Sequence, residues 1–194
     1  LREVNSRPEL EGLVVTASER LLAAKKALGL FESRGKLDPK GLEAVSAAPH
    51  REAAARMAEA AVAWARPQGR PLAKGTTVTY MEPENEPSDW EGALFLDTLR
   101  EAGVKVEPLQ EGKSAETLIV GVFSRPHAYS GKIGLSEEAT AKGQAALKRA
   151  KDARIVSFGT PFAVKSFDSA VPALCTFSAI EASQKAAAKI LLGR

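Results

Sequence analysis

Hydrophobic positions recur along this chain in two periods, and the switches between them mark its elements. Residues 15–28 carry an apolar stripe with Leu21, Leu22 and Leu28 at helical spacing, and Gly29 is the glycine expected just past a helix end. Residues 33–48 include Gly35, Pro39 and Gly41, a linker composition with room for one short helix. A stronger helix is expected from Pro49 to about Arg66, with Met57, Ala61 and Trp64 on one face, ended by Pro67, Gly69 and Pro71.

The pattern then becomes that of strands alternating with helices. Residues 76–81 form a β-branched and aromatic run that reads as a first strand. The sequence Ser88-Asp89-Trp90-Glu91 fits a capping box and predicts a helix to Ala102, with Phe95, Leu99 and Ala102 facing inward and Gly103 closing it. Residues 104–109 and 117–123 read as two more strands, the latter nearly continuous in apolar residues, as strands covered on both faces are. A helix capped by Ser136 and running to about Lys151 follows. Residues 154–158 and 172–177 are the fourth and fifth strands. A second capping box, Ser178-Ala179-Ile180-Glu181, opens a last helix carrying Ile180, Ala187 and Leu191. This order predicts an α/β fold: a mainly parallel sheet of five to six strands with helices on both faces.

Composition narrows the chemistry. The 34 alanines agree with many helices. A formal net charge of +3, with no dense basic tract, gives no reason to expect nucleic acid. A single cysteine, Cys175, excludes an internal disulfide and a cysteine-based zinc site, and is expected as a small apolar thiol in a buried strand. With only His50 and His127, no histidine-rich metal site can form within the chain, and no cofactor is expected. His50, in the first turn of a helix, is expected to make a structural contact at a domain interface. No apolar run is long enough to span a membrane and no signal segment opens the chain, so a soluble protein of undetermined compartment is expected. The chain opens on Leu1, not Met, and is expected to be a fragment of something longer.

Parallel sheets bind ligands at the carboxyl ends of their strands, which directs attention to residues 82–89, 124–135 and 159–168. No glycine-rich phosphate loop follows the first strand. Glu82, Glu84, Glu86 and Asp89 stand there instead and would repel a phosphate. A phosphoacceptor receiver is excluded because the third strand ends in Phe123-Ser124 without an aspartate and the fifth in Thr176-Phe177 without a lysine. Glu82, Glu84 and Glu86 are candidate glycosidase acids, although four acids in a proline-rich loop read more simply as a solvated turn capping a helix. Arg125, His127, Tyr129 and Lys132 gather in residues 124–132 and are candidate contacts for a glycan or an adjoining protein surface. The bases Lys142, Lys148, Arg149 and Lys151 suit a helix C-terminus and need no ligand.

Four segments together resemble the C-terminal α/β domain of glycoside hydrolase family 3, in its β-N-acetylhexosaminidase branch. Residues 18–31, ending Lys25-Lys26-Ala27-Leu28-Gly29-Leu30-Phe31, are similar to the helix with which that family's catalytic barrel closes. Pro49-His50-Arg51-Glu52-Ala53-Ala54 resembles the start of the helix leading into the second domain. Val156-Ser157-Phe158-Gly159-Thr160-Pro161-Phe162 is similar to the family's strand and its Gly-x-Pro-[Phe/Tyr] turn. Residues 180–193 are similar to its last helix.

The resemblance implies a barrel-end helix and linker in residues 1–48 and an α/β sandwich domain in 49–194. It also implies a catalytically silent accessory domain, packed on the parent's own N-terminal barrel, with N-acetylglucosamine-containing glycan as a possible further partner. The parent is then a glycosidase. In that branch the aspartate nucleophile, the aspartate–histidine pair and the sugar-binding Lys-His-[Phe/Ala]-Pro-Gly segment all belong to the barrel. None is present, so no catalytic residue carries over to this chain. In the glucosidase branch the second domain supplies a glutamate acid, but no motif around Glu82, Glu84 or Glu86 licenses that transfer. The alternative is a free-standing module that binds glycan or protein through residues 124–132.

Overall fold

The computed structural model describes residues 6–7, 9–33, 39–45, 47–124 and 133–194. The chain divides into two compact units, Leu1–His50 and Arg51–Arg194. In the first, helix α1 (Glu9–Ala27) begins earlier than its apolar stripe suggested. It carries Glu9 and Glu11 in its first turn and Lys25 and Lys26 in its last, the order that the helix dipole favours, and none of its residues is buried. Gly29 closes it at φ 64°, donating to the Lys26 carbonyl at 3.0 Å. Helix α2 (Leu30–Ser33) and a 3-10 turn (Pro39–Ala44) follow.

Helix α3 (Ala48–Ala61) leads into strand β1 (Ala63–Trp64). The remaining strands are β2 (Thr77–Met81), β3 (Lys105–Pro108), β4 (Thr117–Val122), β5 (Asp152–Ser157) and β6 (Ala173–Cys175). They form one sheet in the order β1-β6-β5-β4-β2-β3, parallel throughout except that β1 runs antiparallel to β6. The mainly parallel α/β fold expected from the alternation is the fold observed.

Successive residues of each strand face opposite layers, which fixes where the helices lie. Val78, Tyr80, Ile119, Val156 and Leu174 pack with helices α4 (Ala93–Glu101) and α6 (Glu181–Leu191) through Phe95, Leu96, Leu99, Ala187 and Leu191. Leu118, Val120, Val122, Ile155 and Ala173 pack on the other face, with Ala146 and Leu147 of α5 (Glu137–Arg149) and Ala163 and Val164 of a 3-10 turn (Pro161–Ser166). Both faces of β4 are therefore covered, and its apolar run is continuous for that reason.

Three local expectations are corrected. The helix after Pro49 ends at Ala61, not Arg66, and its buried residue is Ala58, whereas Met57 is 72% exposed. Trp64 belongs to β1, because the backbone beyond the helix pairs with β6: Ala65 N–H donates to the Ala173 carbonyl at 2.8 Å. Arg66 then donates to the carbonyls of Val164, Phe167, Asp168 and Val171, tying this edge to the segment that precedes β6.

Neither of the two expected capping boxes around α4 and α6 forms. Ser88 lies in a 3-10 turn (Pro87–Asp89), its hydroxyl donates to the Asp89 carboxylate at 3.1 Å, and α4 starts only after Gly92. Trp90 is held extended, edge-on against Tyr80 with ring centroids 4.8 Å apart, which keeps the helix from starting earlier. Helix α6 starts after Ile180 with no side-chain cap, and Glu181 pairs with Lys185 at 2.5 Å. The Ser136 cap does form, accepting from Ala139 N–H at 3.2 Å.

Candidate functional site at the carboxyl edge of the sheet

Strand β2 delivers Glu82 to the carboxyl edge of the sheet, where its side chain is buried. Four donors converge on that carboxylate. Tyr80 Oη donates at 2.9 Å and Gly92 N–H at 2.8 Å to Oε1, while Asn85 Nδ2 at 2.7 Å and Glu91 N–H at 3.0 Å donate to Oε2. The two backbone donors immediately precede α4, so Glu82 places its negative charge at the positive end of that helix.

The same helix start is tied from the other side of the fold. Phe95 N–H donates to Gln184 Oε1 at 3.1 Å, and Gln184 Nε2 donates to the carbonyls of Glu91 at 3.1 Å and Ala179 at 2.9 Å. Groups from β2 and α6 thus provide what a local capping box was expected to provide.

Space for the Tyr80 hydroxyl comes from two glycines. A Cβ on Gly121 would lie 2.0 Å from Tyr80 Oη, and one on Gly92 would lie 2.5 Å from it. Burial, then the neighbouring Glu82 charge and the hydrogen bond to it, push the Tyr80 phenol well above its usual range. It is a protonated donor at neutral pH.

The other two candidate acids are exposed and have different partners. Glu84 accepts the N–H of Ser136 at 2.9 Å, just before α5, and Glu86 lies 3.6 Å from Lys142 Nζ of that helix. Glu82 therefore ties the loop after β2 to the start of α4, while Glu84 and Glu86 tie it to the N-terminus and the flank of α5. Asn85, Tyr80 and Gln184 were not singled out from sequence. The one signal for Tyr80 is its spacing two residues before Glu82 on the same strand face.

Further along the edge, a depression of about 370 Å³ is lined by Ser124, Phe158, Thr160, Phe177 and their neighbours. The hydroxyl of Ser124 is buried without a hydrogen-bond partner among the described residues, and Phe177 adopts a left-handed φ of 59°. Gly159 is required by close approach, because a Cβ there would lie 2.2 Å from the Ser124 carbonyl oxygen. Among the described residues, no carboxylate, imidazole or amine lines this depression.

Arg125, His127, Tyr129 and Lys132 lie outside the described residues. His50 is exposed on α3. Cys175 is buried on β6, and burial pushes its thiol upward against a smaller opposing pull from Arg66. Among the described residues no three His, Cys, Asp or Glu side chains are grouped to hold a metal ion. No helix among them is long and apolar enough to cross a membrane.

No family model and no curated protein matches the sequence. Solved structures share its fold. A beta-glucoside phosphorylase with bound 2FGlc superposes with a TM-score of 0.66 at 17% identity, covering 90% of this chain and 35% of that one. A fungal multi-domain GH3 (glycoside hydrolase family 3) beta-N-acetylglucosaminidase, described as having a GCN5-related glucosamine N-acetyltransferase region, gives 0.56 at 15% identity over 81% of this chain and 19% of that one. A glycoside hydrolase family 3 beta-N-acetylglucosaminidase from Paenibacillus sp. str. FPU-7 gives 0.53 at 16% identity over 72% and 29%. The chain spans about a third or less of the length of these solved chains. The resemblance to glycoside hydrolase family 3 enzymes drawn from four sequence segments therefore holds as a likeness of fold.

Proposed function

We propose that this chain is an accessory C-terminal domain of a glycoside hydrolase family 3 β-N-acetylglucosaminidase-like protein, catalytically silent by itself. Residues 1–48 are then a barrel-end helix and linker, and residues 49–194 the α/β domain that packs on the barrel. The observation that carries this reading is the state of Glu82. A glycosidic acid must present a proton to the leaving oxygen, and its partner carboxylate must reach the other side of the sugar. Glu82 has both oxygens occupied by donors from its own domain and is buried beneath its loop. Glu84 and Glu86 are turned to Ser136 and Lys142 of the same domain.

Bond cleavage in the parent is then a retaining displacement in which nucleophile and acid both come from the barrel. The domain's contribution is a rigid surface, its loops fixed by these internal carboxylate contacts. In the barrel-bearing protein, replacing Glu82, Glu84 and Glu86 singly with Gln should change kcat on a chromogenic N-acetyl-β-glucosaminide by less than about threefold. A fall of about 100-fold or more for any one of them, with the fold intact, would assign that residue as the acid and overturn the reading.

A further inference from the structure

Resting on the accessory-domain reading, we propose that the domain docks on its parent's barrel through an apolar patch at the ends of β5 and β6, anchored by Phe177 and Ile180. Exposed apolar side chains are gathered on one edge of this unit. Among the described residues of 51–194, Leu94, Ile133, Phe162, Phe177 and Ile180 are exposed in the loops or first turns that follow the carboxyl ends of β2, β4, β5 and β6, and only Met57, on α3, is exposed elsewhere. Phe162, Phe177 and Ile180 are 58%, 52% and 59% exposed. Phe177 lines the depression of about 370 Å³, and Phe162 and Ile180 directly follow Pro161 and Ala179, which line it too. A patch of this kind, with no charged side chain among the described lining residues, marks a surface for another protein.

The two anchors stand where the local backbone calls for a polar residue. Phe177 sits at φ 59°, a region that asparagine or glycine enters readily and a bulky aromatic residue rarely does. The bend is pinned on both sides of it: Thr176 N–H donates to the Ser157 carbonyl at 3.0 Å, and the Thr176 hydroxyl donates to the Ser178 carbonyl at 2.6 Å. Ile180 is the extended residue just before α6 and gives that helix no side-chain cap, where Ser, Thr, Asp or Asn would accept a first-turn N–H. Each side chain is more than half exposed, so burial within this domain does not offset the misfit. Exposed residues that break a local rule in this way point to function. The occupant follows from the size of the solved chains that share this fold. This chain covers 35%, 19% and 29% of them, so in each the fold has the rest of a longer chain to meet.

The experiment compares amide hydrogen exchange in this chain alone and in the barrel-bearing protein, each in native form and with Phe177→Asn or Ile180→Ser. Both substitutions suit the backbone they enter, so the thermal midpoint of the chain alone should hold or rise. In the barrel-bearing protein the amides of residues 177–183 should exchange about tenfold or more slowly than in the chain alone, and each variant should lose most of that protection. A fall in midpoint of about 5 °C or more in either variant would show that the side chain serves the domain's own fold, and overturns the proposal. So do equal exchange in the two proteins, protection confined to other residues, or protection that survives both substitutions. The accessory reading is judged separately, on the kcat of the Glu82, Glu84 and Glu86 variants. If kcat is kept while protection maps elsewhere, only the docking surface is wrong, and if kcat is lost while residues 177–183 stay protected, only the catalytic silence is.

Discussion

The carboxylate of Glu82 accepts the backbone N–H of Gly92 at 2.8 Å, joining the end of strand β2 to the residue that opens helix α4. Three further donors fill its remaining positions, so the charge at this edge is fully spoken for by its own domain. Glu82→Ala leaves the buried Tyr80 hydroxyl and Gly92 N–H without an acceptor and should lower stability by about 3 kcal/mol in urea unfolding. Glu82→Gln retains one acceptor oxygen but turns an amide NH₂ toward donors, and should cost about 2 kcal/mol.

Tyr80→Phe removes one donor to Glu82 and should cost about 1–2 kcal/mol at neutral pH. The raised phenol pKa gives a second signature. Below about pH 10, the unfolded value, Tyr80 is protonated in both states and its contribution is complete. Above that pH the unfolded chain releases the proton while the folded chain keeps it, so stability falls as pH rises toward the folded value. Stability profiles between pH 8 and about 11 should therefore drop more steeply for the native chain than for Tyr80→Phe.

Gln184→Leu keeps the bulk of the side chain but leaves Phe95 N–H and the Glu91 and Ala179 carbonyls unmatched. A loss of about 2 kcal/mol is expected, with faster amide exchange at Phe95 than in the native chain. Unchanged exchange at Phe95 would show that the helix start does not depend on α6.

Gly121→Ala drives a methyl into the Tyr80 ring, whose hydroxyl oxygen, Cζ and Cε2 would lie 2.0, 2.7 and 3.1 Å from the new Cβ. The expected cost is about 2–3 kcal/mol. Combining it with Tyr80→Phe should recover only part of that cost, since the ring carbons still collide. A double-mutant cycle measures the coupling.

The parts of the fold readable from the sequence were those whose signal is local. The apolar run of β4 and the Ser136 cap of α5 each announce themselves within a few residues, and both are where they were expected. Strand β1 was hidden because Ala63 and Trp64 continue an alanine-rich helix without a turn residue. Only the pairing of β1 with β6 makes it a strand. The start of α4 was misplaced for the same kind of reason. Ser88 and Glu91 offered a local cap, but Glu82 and Gln184 supply the acceptors from ten residues upstream of Gly92 and 89 residues beyond Phe95. The acids of the loop after β2 could be recognised as a cluster, whereas their division among three separate partners depends on distances that only the folded chain has.

Hydrolysis by this chain alone is the most direct measurement. Incubated with a chromogenic N-acetyl-β-glucosaminide and with the corresponding glucoside, the chain should release chromophore no faster than buffer, because Glu82, Glu84 and Glu86 are each held by partners within the domain. Saturable release that scales with chain concentration and is lost in Glu82→Gln would contradict the account.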